Sequence, residues 1–267
     1  MAHFKWNIVF VILITIFYFT GCKTMTQQAG LRTEEIIIDG NYSDWLGSLN
    51  VQDDLLFSTG FQYDQDYFYL CLITRNEQIK RQIMKQGLIL WLDSKSDKMK
   101  RMGIKFPLGL IESGLMQRNM NELGNPTQDP EIIAGMFERS LHELEIFLPD
   151  GNDFHSVYRT DLIQYDVAIN IAMKDEAMVY ELKIPLLQNE NHLYAISDQD
   201  VSSIKVELQT PEFDRDTMRG SNKMGSGFRG AGSMGGRGGG LRRGGIERGM
   251  RPDRPEPLNL SFKVVFE

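Results

Sequence analysis

The sequence predicts an all-β fold, an antiparallel β-sandwich carrying one or two short helices. Three observations lead there. Runs of β-branched and aromatic residues of strand length recur along the chain, bounded by turn residues. Several alternate apolar with polar positions, the period of a strand with one buried face. Helical segments are few and do not alternate with strands, which argues against βαβ units and a parallel sheet.

Taken in order, residues 1–22 read as an address. Lys5 supplies positive charge, Ile8–Phe19 is an apolar run broken only by Thr15, and Phe19-Thr20-Gly21-Cys22 follows. So short a run suits a signal-peptide core, whereas a helix needs about 20 apolar residues to cross hydrocarbon. The tetrapeptide resembles a bacterial lipobox, which implies a lipid on Cys22 and a lipoprotein anchored in the cell-envelope membrane, periplasmic or surface-exposed. Residues 23–33 read as a polar tether, and 34–267 as a single sandwich domain. Ile36-Ile37-Ile38 predicts a strand stopped by the Asp39-Gly40 turn. Tyr67–Ile73 and Leu88–Leu92 have core-strand length.

Two helices are expected. Asn76–Gln86 places Ile79 and Ile83 four apart before a Gly87 stop. Pro130–His142 aligns Ile133, Phe137 and Leu141, with Asp129 placed to cap. Tyr165, Val167, Ile169 and Ile171 alternate, and Lys174-Asp175-Glu176 turns the chain into Met178–Ile184 as a hairpin. Leu260, Phe262, Val264 and Phe266 alternate again. Residues 217–254 hold thirteen of the 25 glycines, mixed with Arg and Met without periodicity, and are expected to be a disordered excursion inside the domain.

The net charge of −7 divides unevenly. Nine Lys/Arg and two Asp/Glu fall in 217–254, a net +7 that leaves −14 for the remainder. An acidic body is the wrong surface for nucleic acid, and no nucleic-acid partner is expected. The basic tract suits a polyanion such as anionic lipid or acidic polysaccharide. Two cysteines, Cys22 and Cys71, make no disulfide framework; Cys71 lies in an apolar run and reads as a buried structural thiol.

Chemical motifs are scarce. Gly225-x-Gly227-x-x-Gly230 and Gly230-x-Gly232-x-x-Gly235 match a dinucleotide fingerprint, but neither follows a strand or opens a helix. No Walker A, G-x-S-x-G or H-E-x-x-H is present. Glu143 and Glu145 share one strand face, the ordinary pattern of a solvated edge. Asp53-Asp54 and Asp64-x-Asp66 offer oxygen ligands for a structural calcium, without EF-hand spacing. No metal site, no cofactor and no catalysis are expected. Tyr158, Tyr165 and His155, with Phe154, are the candidates for lining a ligand cleft.

Four segments in order resemble sandwich domains related to the family-9 carbohydrate-binding modules and to DOMON domains: Ile38-Asp39-Gly40-Asn41-Tyr42-Ser43-Asp44-Trp45, Tyr63–Leu70, Gly87–Asp93 and Val179–Leu186. The resemblance spans 34–267, with inserts at 94–160 and 217–254. It implies a jelly-roll-like sandwich and a non-catalytic carbohydrate-binding role. Some relatives bind haem through Met and His, but Met218, Met224, Met234 and Met250 fall in the Gly/Arg tract. Met102, Met116, Met120, Met136 and Met173 read as packing, so haem is not expected. Trp45 and Trp91 belong to the structural motifs and are expected in the core. The second functional reading is an envelope assembly or interaction scaffold with 217–254 as its docking arm.

Overall fold

The computed structural model describes residues 24–51, 57–94, 101–111, 113, 115, 130–148, 154–211 and 257–266. Cys22, Asp53-Asp54, Asp129, Met116, Met120 and the 217–254 tract lie outside the described residues.

Among the described residues twelve strands form, in chain order: β1 (Thr24–Leu31), β2 (Asn50–Val51), β3 (Ser58–Tyr63), β4 (Tyr67–Thr74), β5 (Ile89–Asp93), β6 (Arg101–Lys105), β7 (Glu143–Phe147), β8 (Phe154–Tyr158), β9 (Ala168–Lys174), β10 (Ala177–Pro185), β11 (Ser203–Gln209) and β12 (Asn259–Phe266). Helix α1 (Glu77–Gln86) follows β4, helix α2 (Pro130–Ser140) precedes β7, and 3-10 turns occupy Tyr42–Trp45 and Arg159–Tyr165. The strand order is β8-β7-β6-β5-β11-β12-β1-β3-β4-β10-β9, with β2 added beside β3.

The sheet curls about β1. Leu90, Leu92, Ile104, Ile146, Val206 and Phe262 from one half and Phe68, Leu70, Leu72, Tyr180 and Leu182 from the other belong to one buried core. This is the sandwich the sequence predicts, with one correction: the sheet is mixed. β1 runs parallel to both β12 and β3, while the other pairings are antiparallel. Parallel pairing of first and last strands is a register fact that no local pattern encodes.

Other expectations need correcting. Thr24–Leu31, expected as tether, is the strand that joins the two halves. Its polar composition hides it, because inward Gln27 is buried against Thr59, whose hydroxyl donates to the amide oxygen at 2.9 Å. Ile36–Ile38 is not a strand. It lies over the outer face of β4 and β10, where Ile36, Trp45, Tyr69, Cys71, Ile73 and Val179 form a second core. Burial of a β-branched run there needs no strand partner. Tyr165 closes the 3-10 turn rather than opening β9. Residues 94–160, an insert relative to the resemblance but expected within the domain, supply β6, α2, β7 and β8.

The predicted hairpin forms as β9–β10, with Asp175 and Glu176 both at positive φ, the conformation a two-residue hairpin turn requires. Helix α1 begins where Asn76 accepts the N–H groups of Gln78 and Ile79, and ends at Gly87, φ 85°.

Helix α1 lies across one end of the sandwich. Its Gln82 amide donates to Thr210 Oγ1 at 2.8 Å, and its Lys80 ammonium to the Glu176 carbonyl at 2.7 Å. The Leu110 and Ile111 N–H groups donate to the Met84 and Lys85 carbonyls. Thr210 Oγ1 also accepts the Leu258 N–H at 2.9 Å. β1 starts at this same end, since Thr24 faces Ser261 and Gln209 faces Asn259. The Asp64–Asp66 turn marks the opposite end.

Candidate functional site

Two clusters of polar and aromatic groups stand out, and they differ in kind. The first is internal. Glu181 on β10 is fully buried, and its carboxylate accepts the Gly40 N–H and, at 2.8 Å, the indole N–H of Trp45. Burial pushes its pKa up, opposed by those two donors. Gly40 sits at φ 84°, and a Cβ there would meet Ala172 Cβ at 2.4 Å. The Asp-Gly turn, the tryptophan and the late strand are thus parts of one lock that holds residues 36–45 on the sheet. Trp45 is fully buried, as expected of a core residue. No ligand role follows for it.

The second cluster is on the outer face of the β5–β8 half. On β5 and β7, Leu90, Leu92, Leu144 and Ile146 point inward, so the alternate residues point out. Trp91, Gly103, Phe147 and Phe154 are register partners on four successive strands. Trp91 and Phe147 rings lie 5.3 Å apart, and Phe147 and Phe154 rings 5.9 Å. Gly103 makes this possible, because a Cβ there would meet Trp91 ring carbon at 2.5 Å. Strands spaced about 4.8 Å apart make the row about 14 Å long. It runs from half-buried Trp91 to Phe154, 52% exposed.

Polar groups flank the row. Trp91 donates its indole N–H to Gln209 Oε1 at 3.1 Å. Lys105 pairs with Glu145 at 3.7 Å, and Lys205 with Glu207 at 2.8 Å. Glu143 and Glu145 do share this face, with Tyr158 and Ser156 opposite them. The expectation that Trp91 is a core residue is therefore corrected: alternation with Leu90 and Leu92 turns it outward.

The three candidate cleft residues divide. Tyr158, 57% exposed, shares the outer face of β8 with Phe154. His155 faces the other way, and its Nδ1 lies 3.1 Å from the Tyr194 hydroxyl. Tyr165 packs edge-on to Tyr194 at 4.7 Å. Tyr194 is thus the link between His155 and Tyr165, and of the three only Tyr158 lies on the outer face, opposite Glu143 and away from the row. Phe147, Gln209 and Tyr194 were not among the candidates. The two-residue period of β7, with Leu144 and Ile146 inward, was the available signal for Phe147.

Other groups have structural work. Asp64 accepts the Asp66 and Tyr67 N–H groups and the Tyr69 hydroxyl, and pairs with Arg32 at 2.9 Å. Burial alone would raise its pKa, but these donors hold it below the usual carboxylate value. Its oxygens lock the turn at the far end of the sheet. Cys71 is a free, fully buried thiol, and burial, with Glu181 nearby, pushes its pKa well up. That is the setting of an inert packing thiol. Met102 and Met136 are core residues, whereas Met173 is 49% exposed. Among the described residues, no group of three or more His, Cys, Asp or Glu could hold a metal ion. Among them, too, no helix is long and apolar enough to cross a membrane.

No protein-family model matches the chain, and no curated protein matches it. Two solved structures similar to it are of a family-9 carbohydrate-binding module from Caldicellulosiruptor kristjanssonii, in complex with glucose and with cellotriose. Each is 11% identical, covers 73% of this chain and has a TM-score of 0.33; the match spans 81% of the glucose complex and 79% of the cellotriose complex. A likeness of that size carries no argument about function.

Proposed function

We propose that this chain is a membrane-anchored envelope lipoprotein whose β-sandwich binds carbohydrate without catalysis, at the outer face of the β5–β8 half. The observation that carries the binding reading is the row Trp91–Phe147–Phe154 across register-paired strands, flanked by Gln209 and Glu145. Aromatic faces are electron-rich, so they attract the C–H groups on one side of a pyranose ring, while amide and charged groups take its hydroxyls. A row about 14 Å long suits an oligosaccharide rather than one sugar. The anchor reading is supported by the apolar run Ile8–Phe19 and the lipobox-like Phe19-Thr20-Gly21-Cys22.

Titration calorimetry against soluble oligosaccharides of plant and microbial polysaccharides tests the binding reading. Binding is expected for one class and a loss of at least tenfold in affinity for Phe154→Ala and Phe147→Ala. Failure to bind any of them, or binding that both variants retain, would overturn it. Intact mass of the N-terminal peptide tests the anchor, through a diacylglycerol adduct on Cys22.

A further inference from the structure

We infer that the α1 end of the sandwich is a membrane-contacting surface, held against the lipid headgroups with no spacer. This rests on the lipid reading of Cys22. Consecutive Cα atoms are 3.8 Å apart, so Cys22 lies within about 8 Å of Thr24, where β1 already belongs to the sheet. A lipidated Cys22 sits at the bilayer surface, and only Lys23 separates it from a strand bonded to β12. The domain has no length of chain with which to stand off.

The surface brought down by this geometry is the end where β1 starts. It is one hydrogen-bonded plate, in which Gln82 of α1 holds Thr210, Thr210 holds Leu258, and Lys80 holds the β9–β10 turn. Exposed Arg81, Lys85 and Lys174 on it are offset by exposed Glu77, Asp175 and Glu176, so the short link from Cys22 to β1, and not charge, brings it to the bilayer. The opposite end, with Gln65 exposed in the Asp64–Asp66 turn, is then distal by about the length of β4, roughly 26 Å.

The test uses the full protein, purified with its N-terminus processed and reconstituted in phosphatidylethanolamine/phosphatidylglycerol vesicles. Cys71 is buried, so a cysteine introduced at Arg81, Lys85 or Gln65 takes a fluorescent label selectively. Quenching by headgroup-labelled lipid should be several-fold stronger at R81C and K85C than at Q65C. Inserting twelve Gly/Ser residues between Lys23 and Thr24 should bring R81C down to the Q65C value. Equal quenching at the two ends, or R81C quenching unchanged by the insert, would overturn the inference. Mass spectrometry of the same samples separates the causes. With Cys22 lipidated, such a result removes the surface alone; an unmodified Cys22 removes both the anchor and the surface.

Discussion

Replacing Glu181 by Gln is the sharpest perturbation of the lock beneath Trp45. The carboxylate gives one oxygen to the Gly40 N–H and the other to the Trp45 indole N–H, all of it buried. Glutamine keeps one acceptor and places an amide N–H₂ against the second donor. A buried donor left without its acceptor costs about 1–3 kcal/mol. Part of that is returned, because a neutral amide is cheaper to bury than a carboxylate. The net expectation is a loss of about 1–2 kcal/mol by those magnitudes. Trp45→Phe removes the indole donor, so the two changes should not add: the double variant should be more stable than the sum predicts by about 1 kcal/mol or more. Urea unfolding of wild type, E181Q, W45F and the double variant measures the cycle, with equal m-values as the check on two-state behaviour. Strict additivity, or an E181Q protein as stable as wild type, would refute the lock.

Opposite pH slopes are expected from two carboxyls. Glu181 has a raised folded pKa, so its contribution is present below the unfolded value and lost as pH rises through the folded one; E181Q should flatten that limb. Asp64 has a lowered folded pKa, so its contribution is present above the unfolded value and lost as pH falls through the folded one; Asp64→Asn should flatten the acid limb, read by thermal melts across pH. Gly103→Val puts a side chain where Trp91 and Phe147 rings already lie, and should cost about 1–3 kcal/mol by overpacking while abolishing oligosaccharide binding. Cys71 should react with a thiol reagent only as fast as the protein opens; rapid labelling of the folded protein would contradict its burial.

The elements legible from sequence were those whose apolar pattern is complete. β4 and β10 are buried on both faces, by the main core on one side and by residues 36–45 on the other, and read as near-continuous apolar runs. α1 carried both of its end signals, Asn76 and Gly87. β1 was illegible because inward Gln27 meets a buried polar partner, and β8 because edge strands bury little. The outer row was half legible. Trp91 and Phe154 are conspicuous residues, but their alignment with Phe147 depends on the register of β5, β6, β7 and β8, and register is set by pairings that cross α2 and the loops around it.

The pairing of β1 with β12 also sets an order in time. Thr24 and Ser261 are 237 residues apart, and β3, the other neighbour of β1, shares backbone register with it only at Gly30 and Leu31. A growing chain therefore holds β1 long before its main partner, β12, emerges. Contacts this distant slow folding, because the closure entropy of the intervening chain is met before the pairing rewards it. Loss of β12 would delete the seam itself. Truncated chains would present the bare edges of β1 and β11 to one another, which is the geometry of strand-edge aggregation.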